Sequence, residues 1–200
     1  MILYIETNFL MAVATGRDPD AHELLKVTPP LVLALPTIAS MEAFSALEDD
    51  LKGRKRFEGQ LDLQIGQLRR DNTSPNASDL LASLEQARIQ NAKLMNDVQG
   101  RLFDLVRDLS SKATLIDTSA QTLRDAVDHE LIEREPTDNL ILHTFLYHAQ
   151  HHASEAKALL TENAKSFGQP EAQNALISAG IKSFNRSGAF LGWARGQGAF

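Results

Sequence analysis

Met1-Ile2-Leu3-Tyr4-Ile5-Glu6-Thr7-Asn8-Phe9-Leu10 runs four apolar residues, Ile2 to Ile5, straight into a carboxylate. A short continuous apolar run, rich in β-branched and aromatic side chains, reads as a strand buried on both faces. Such strands belong to parallel sheets covered by helices. In open sheets of that kind, ligands bind outside the carboxyl ends of the strands. Glu6 stands at that end, and Thr7 and Asn8 are residues that start helices well. A solvated acid just past a strand is the plain alternative for Glu6. The choice turns on whether other acids arrive at the same place.

Outward from this stretch the same grammar repeats. Phe9 to Ala14 is apolar enough for a short helix, Gly16-Arg17-Asp18-Pro19-Asp20 is a turn, and Ala21 to Leu25 carries another turn or two of helix. Leu31-Val32-Leu33-Ala34-Leu35, after Thr28-Pro29-Pro30, is a second buried strand ended by Pro36-Thr37. From Ile38 the spacing turns helical, and Glu42 lies about one and a half turns into that helix. The pattern resumes near Ala113. Thr114-Leu115-Ile116 is a short strand, and Thr118 and Gln121 have capping-box spacing for a helix through Leu123, Val127 and Leu131. Glu135-Pro136-Thr137-Asp138 breaks that helix and starts the next, with Asp138 in its first turn, where a helix dipole favours an acid. Ala156 to Leu160 is a further strand followed by Thr161-Glu162-Asn163, and Ile181 to Phe184 is a last edge strand.

Between these two α/β segments the chain has no strand signal. Apolar residues recur every three or four positions from Phe44 to Leu68, and again from Leu80 to Leu109, around a polar turn spanning Arg69 to Ser78. Two such helices form a long antiparallel hairpin with arms on the order of 40 Å. Asn91 falls in the seam, as a register device or a locally bonded polar residue, and Gly53, Gly59, Gly66 and Gly100 weaken the helices locally.

The 200-residue chain carries 43% hydrophobic residues, enough for a real core, with no apolar run of membrane-spanning length. The first residues lack the basic stretch of a secretory signal, and there is no cysteine, so the expected compartment is the cytoplasm, without membrane contact. Thiolate metal sites and cysteine nucleophiles are excluded. A net charge of -6 argues against a protein that simply coats nucleic acid, though not against an enzyme with an acidic site. In the strand–helix frame, Glu6 and Glu162 follow strands, while Glu42 and Asp138 sit early in helices. Four acids at one end of a sheet tolerate closeness only around a cation. All-oxygen ligands suit Mg²⁺ or Mn²⁺, which serve phosphodiester cleavage.

Ile5-Glu6-Thr7-Asn8-Phe9-Leu10 resembles the opening motif of PIN-domain ribonucleases, an apolar strand followed by Asp-Thr-Asn-x-x-Leu. Ala39-Ser40-Met41-Glu42 resembles the family's second motif, and Pro136-Thr137-Asp138-Asn139-Leu140-Ile141-Leu142 its third. Leu159 to Phe167 resembles the fourth, one form of which reads Thr-x-Asn-x-Lys-Asp-Phe; Thr161, Asn163, Lys165 and Phe167 match it. The resemblance implies an α/β, three-layer parallel-sheet PIN-like domain over residues 1–200. Its core would be 1–47 and 112–200, with residues 48–111 as an inserted antiparallel helical hairpin. It also implies a Mg²⁺- or Mn²⁺-dependent endoribonuclease. Glu6, Glu42 and Asp138 would be its metal ligands and catalytic acids, and Glu162 the fourth. Thr7, Asn8, Thr161 and Asn163 would support the site. RNA is the implied substrate, and many small members are toxins of toxin–antitoxin pairs, so an antitoxin and a second copy of the chain are the expected partners.

Two departures bear on activity. Glu6 stands where the family has Asp, extending the carboxylate by about 1.5 Å, and Ser166 stands where the fourth motif has its Asp. A catalytically silent PIN-like module binding RNA or protein through the hairpin is the alternative, and a phosphatase-like metalloenzyme on a similar sheet a third reading. Other candidates have ordinary readings beside the functional ones. His148, His152 and Glu155 have zinc-ligand spacing but suit a polar helix end, with His143 and His151 nearby. Arg54-Lys55-Arg56 is an RNA contact or a solvated face. Phe190, Trp193 and Phe200 stack bases or cover the core.

Overall fold

The computed structural model describes residues 1–26, 29–71 and 73–198; the readings that touch Thr28, Asn72 and Phe200 lie outside the described residues. The elements are β1 (Ile2–Ile5), α1 (Thr7–Thr15), α2 (Ala21–Leu24), β2 (Val32–Pro36), α3 (Thr37–Leu68), α4 (Pro75–Lys112), β3 (Thr114–Ile116), α5 (Ala120–Asp128), α6 (Pro136–His151), β4 (Lys157–Leu160), α7 (Ala164–Phe167), α8 (Pro170–Ser178), β5 (Ile181–Phe184) and α9 (Ser187–Gly196). The five strands form one sheet in the order β3-β2-β1-β4-β5, every pair parallel. β1 is its centre, and all four of its residues are buried, as an unbroken apolar run requires. On one side of the sheet α1 packs against α3 and α4; on the other, α5, α7 and α8 gather round α6. Tyr4 stacks obliquely on Phe145 of α6 at 4.9 Å. Strand order reverses at β1, whose neighbours β2 and β4 are reached by opposite turns of the chain. The crevice beyond the carboxyl ends of β1 and β4 is therefore the topological switch point, where this architecture binds ligands.

The hairpin is real and longer than the sequence suggests. α3 has 32 residues and α4 has 38, roughly 48 and 57 Å at 1.5 Å per residue. Its base is welded into the domain: Ala39, Ala43 and Leu47 of α3 and Val98, Leu102, Leu105 and Leu109 of α4 belong to the main core. Leu61, Ile65 and Ala77 are buried farther out, apart from that core, by the two arms alone. Asn91 is 7% exposed within the seam, and its side chain donates to the carbonyl of Arg54 on the opposite arm at 3.4 Å, which ties the register. Gly53, Gly59, Gly66 and Gly100 sit inside continuous helix with nothing within 4 Å of where a Cβ would stand. Gly59→Ala and Gly66→Ala are accordingly expected to stabilise the protein by about 0.5–1 kcal/mol each. Thermal melting checks this, and a loss of stability would show that these residues are not held in helix.

Two sequence expectations change. α5 is capped by Ser119, whose Oγ accepts from the Thr122 N–H at 3.0 Å, and not by Thr118, whose hydroxyl is buried without a partner. The helix ends at Asp128 and not at Leu131. The reason is Asn139, which takes the N–H groups of Leu131 and Ile132 and the carbonyls of Ala126 and His129 into its own side-chain hydrogen bonds. α8 and the short α7 had no sequence reading. The C-terminal aromatics cover the core: Phe190 is fully buried, and Trp193 packs on Phe184 at 5.2 Å.

Candidate functional site

A cleft of about 290 Å³ opens at the switch point, lined by Glu6, Thr7, Asn8, Glu42, Glu135, Asp138, Asn163, Lys165 and Ser166. Each acid arrives on a different element. Glu6 caps α1: the backbone N–H of Asn8 donates to its Oε2 at 2.7 Å, so the acid itself and not Thr7 or Asn8 starts the helix. Glu6 is 1% exposed, and its other oxygen, Oε1, is buried with no hydrogen-bond partner. Burial pushes its carboxyl up from an ordinary 4.5 to about 8. The Asn8 N–H and the Thr161 hydroxyl pull the other way, while the charges of Asp138 and Glu42 add to the rise. Glu42 comes from the second turn of α3, half-buried, and accepts a short hydrogen bond from the Thr7 hydroxyl. Burial raises its carboxyl as well, partly offset by that bond and reinforced by the Asp138 and Glu135 charges. Asp138 lies in the first turn of α6, 8% exposed, and accepts from Asn163 Nδ2 at 2.8 Å.

The supporting residues each hold an acid or a turn. Thr7 holds Glu42 and the Asn8 backbone holds Glu6. Asn163 holds Asp138 through its amide and caps α7 through its carbonyl, to which Ser166 N–H donates at 3.2 Å. Thr161 Oγ1 accepts from Asn163 N–H at 3.0 Å, a hydroxyl turn that reverses the chain just after β4. That turn decides the fate of Glu162. With Thr161 buried inward and Asn163 at the cleft, Glu162 is thrown outward, exposed, and does not line the cleft. The fourth carboxylate on the cleft wall is Glu135, the residue before Pro136, which sequence reasoning used only as a helix break. Its marker in the sequence is faint: an acid three residues before Asp138, just ahead of a proline-started helix.

An all-carboxylate donor set suits a hard divalent cation. A buried carboxylate oxygen without a donor, in a cleft whose other acids repel it, fits the same group. Among the described residues no three His, Asp or Glu side chains already stand together as a ligand set. Glu6, Glu42 and Asp138 each accept from a local donor, the Asn8 N–H, the Thr7 hydroxyl and the Asn163 amide respectively.

The PIN-domain family model matches residues 3–167. The chain belongs to the PIN-domain family. PIN domains are in general metal-dependent nucleases, and Glu6, Glu42 and Asp138 lie in the first three of the four motifs named from the sequence. Among solved structures, VapBC2 from Rickettsia felis, crystallised with a DNA fragment from its promoter, contains a chain 16% identical to this one. The match covers 92% of this PIN domain and 100% of that chain at a TM-score of 0.43. No curated protein matches. No helix among the described residues is long and apolar enough to cross a membrane.

The histidines of this PIN domain lie away from the cleft. His148 Nδ1 meets the Tyr4 hydroxyl at 3.0 Å, His152 Nδ1 meets Glu155 at 3.0 Å, and the two rings stack at 4.2 Å. Their δ nitrogens are engaged and their rings lie face to face, the arrangement of a polar helix end. Arg54 of the basic run pairs with Asp50 along its own helix.

Proposed function

We propose that this PIN domain is a divalent-metal-dependent endoribonuclease that hydrolyses RNA phosphodiesters in the switch-point cleft. Glu6, Glu42 and Asp138 are its ligands for Mg²⁺ or Mn²⁺. The observation that carries this reading is that three acids from three elements, Glu6, Glu42 and Asp138, line one cleft beyond the carboxyl ends of the central strands. The ion supplies Lewis acidity and charge neutralisation when bound. The chain supplies the rest. The Thr7 hydroxyl and the Asn8 N–H orient Glu42 and Glu6, and the Asn163 amide fixes Asp138 at the helix start. Glu6, raised to about 8, holds a proton at neutral pH, so that proton and cation would compete for this carboxylate. Ser166, buried at the cleft wall where the family pattern has an acid, leaves these three carboxylates to do the work.

Manganese titration by calorimetry tests the assignment. Wild-type protein is expected to bind Mn²⁺ below millimolar concentration. Asp138→Asn and Glu42→Gln are each expected to weaken binding by at least about 10–100-fold and to remove cleavage of single-stranded RNA. No binding of any divalent ion at millimolar levels would overturn the nuclease reading. Cleavage that survives Asp138→Asn would overturn the residue assignment.

A second reading, a silent module that binds RNA or protein through the hairpin, draws on the exposed apolar side chains of its arms, Phe57, Leu63, Leu80 and Ile89. The same titration separates the two, since the silent module needs no cation. An antitoxin partner is the family-level expectation. Its test is whether the product of a neighbouring gene co-purifies with this chain and blocks cleavage.

A further inference from the structure

We propose that Lys165 is the residue that grips a substrate phosphate, and that Glu135 is its resting counter-ion and not a fourth metal ligand. This rests on the nuclease reading above. Four carboxylates line the cleft against one basic side chain among the described residues there, Lys165. An anionic phosphodiester entering such a cleft needs more positive charge than one divalent ion provides against four acids. Lys165 stands on α7, next to Ser166 of the cleft wall, and its Nζ meets Glu135 Oε1 at 2.5 Å across the mouth. The lysine side chain is 81% exposed, so nothing packs its stem in place. Exposed ion pairs contribute little to stability. Exchanging Glu135 for a phosphate therefore costs the fold little. A lysine suits the task, being a compact charge on a flexible stem that binds phosphate without demanding a fixed fork geometry. Glu135, with its carboxylate taken by Lys165, then does two things. It keeps the ammonium at the cleft mouth, and it competes with the incoming phosphate.

The test is fluorescence anisotropy of a labelled single-stranded RNA oligonucleotide with the full chain in Ca²⁺ buffer, over a salt series, with a gel to verify that the oligonucleotide stays intact. Lys165→Gln is expected to lower the slope of log affinity against log salt by about 0.7, one phosphate contact, and so to weaken binding about fivefold at 0.1 M salt. Lys165→Arg is expected to keep the slope. Glu135→Gln is expected to tighten binding, less so in a Lys165→Gln chain, and to leave Mn²⁺ affinity within about twofold, where loss of a ligand would cost at least about tenfold. Wild-type binding with an unchanged slope in Lys165→Gln overturns the lysine's role while sparing the nuclease reading. A large loss of Mn²⁺ affinity in Glu135→Gln overturns the counter-ion role. If wild-type protein binds no RNA at any salt concentration, the nuclease reading falls and this proposal with it.

Discussion

Glu6→Gln is expected to make the metal-free protein more stable in alkaline buffer while removing its affinity for divalent cations. The Glu6 carboxyl titrates near 4.5 when the chain is unfolded and near 8 when it is folded, because burial penalises the charged form. Between those pH values the folded protein holds a proton that the unfolded chain has released. The part of the stability that depends on Glu6 is therefore complete below about pH 4.5, declines as pH rises, and levels off above about pH 8. At 1.36 kcal/mol per pH unit the whole decline is on the order of 5 kcal/mol. Glutamine carries no charge and can still accept the Asn8 N–H, so the variant should lack this decline. Urea denaturation with a chelator at pH 5 and pH 8.5 measures the difference. A wild-type curve that is flat between those points would show that Glu6 is not held as an unpaired buried acid. Adding Mn²⁺ should raise wild-type stability, most strongly at high pH where no proton competes, and leave Glu6→Gln unmoved. Activity and metal-free stability would thus pull in opposite directions at one residue.

Asn139→Ala is expected to cost about 3–5 kcal/mol, from four side-chain hydrogen bonds worth about 1 kcal/mol each and the penalty for leaving buried backbone groups unpaired. Asn139 is 3% exposed. Its carbonyl accepts from Leu131 at 2.9 Å and Ile132 at 3.1 Å, and its amide donates to Ala126 at 2.8 Å and His129 at 3.2 Å. It thus clasps the end of α5 and the following loop to the first turn of α6, one residue from Asp138. Asn139→Asp is expected to be at least as damaging, since it turns two donors into an acceptor facing two carbonyls and buries a charge. Chemical denaturation gives the stability, and Mn²⁺ titration of folded variant gives the second effect, a loss of about tenfold as Asp138 loses its support. A cost below about 1 kcal/mol would mean that the loop closes without this residue.

The strands were legible because each is an apolar run with a sharp end, and a parallel sheet buried on both faces leaves that signature. The hairpin was legible from its spacing alone, and its four glycines did not break it because no packing depends on them. What could not be read has local causes. α8 buries only Ala172 and Leu176, one contact row on a helix of nine residues, too little pattern to distinguish from a loop. Ser119 and Thr118 are both fair helix caps, and only the packing that buries the Thr118 hydroxyl separates them. Glu162 left the cleft because spacing after a strand does not report a turn made by the hydroxyl of the residue before. Asn139 left no trace beyond its identity: its four partners lie at the end of α5 and in the loop whose shape it creates.

The continuity of α3 has a geometric consequence. One unbroken helix carries Glu42 into the cleft and, 26 residues later, Leu68 to the far end of the hairpin, about 39 Å away at 1.5 Å per residue. The hairpin is therefore a ruler whose zero mark is the cleft itself. Insertions or deletions matched in both arms would change its reading in steps of one helical turn, about 5.4 Å. An unmatched single residue in one arm would instead rotate everything beyond it by about 100° and pull Asn91 off the Arg54 carbonyl. Length changes paired between the two arms would alter the reach of this hairpin without disturbing the acids at its base.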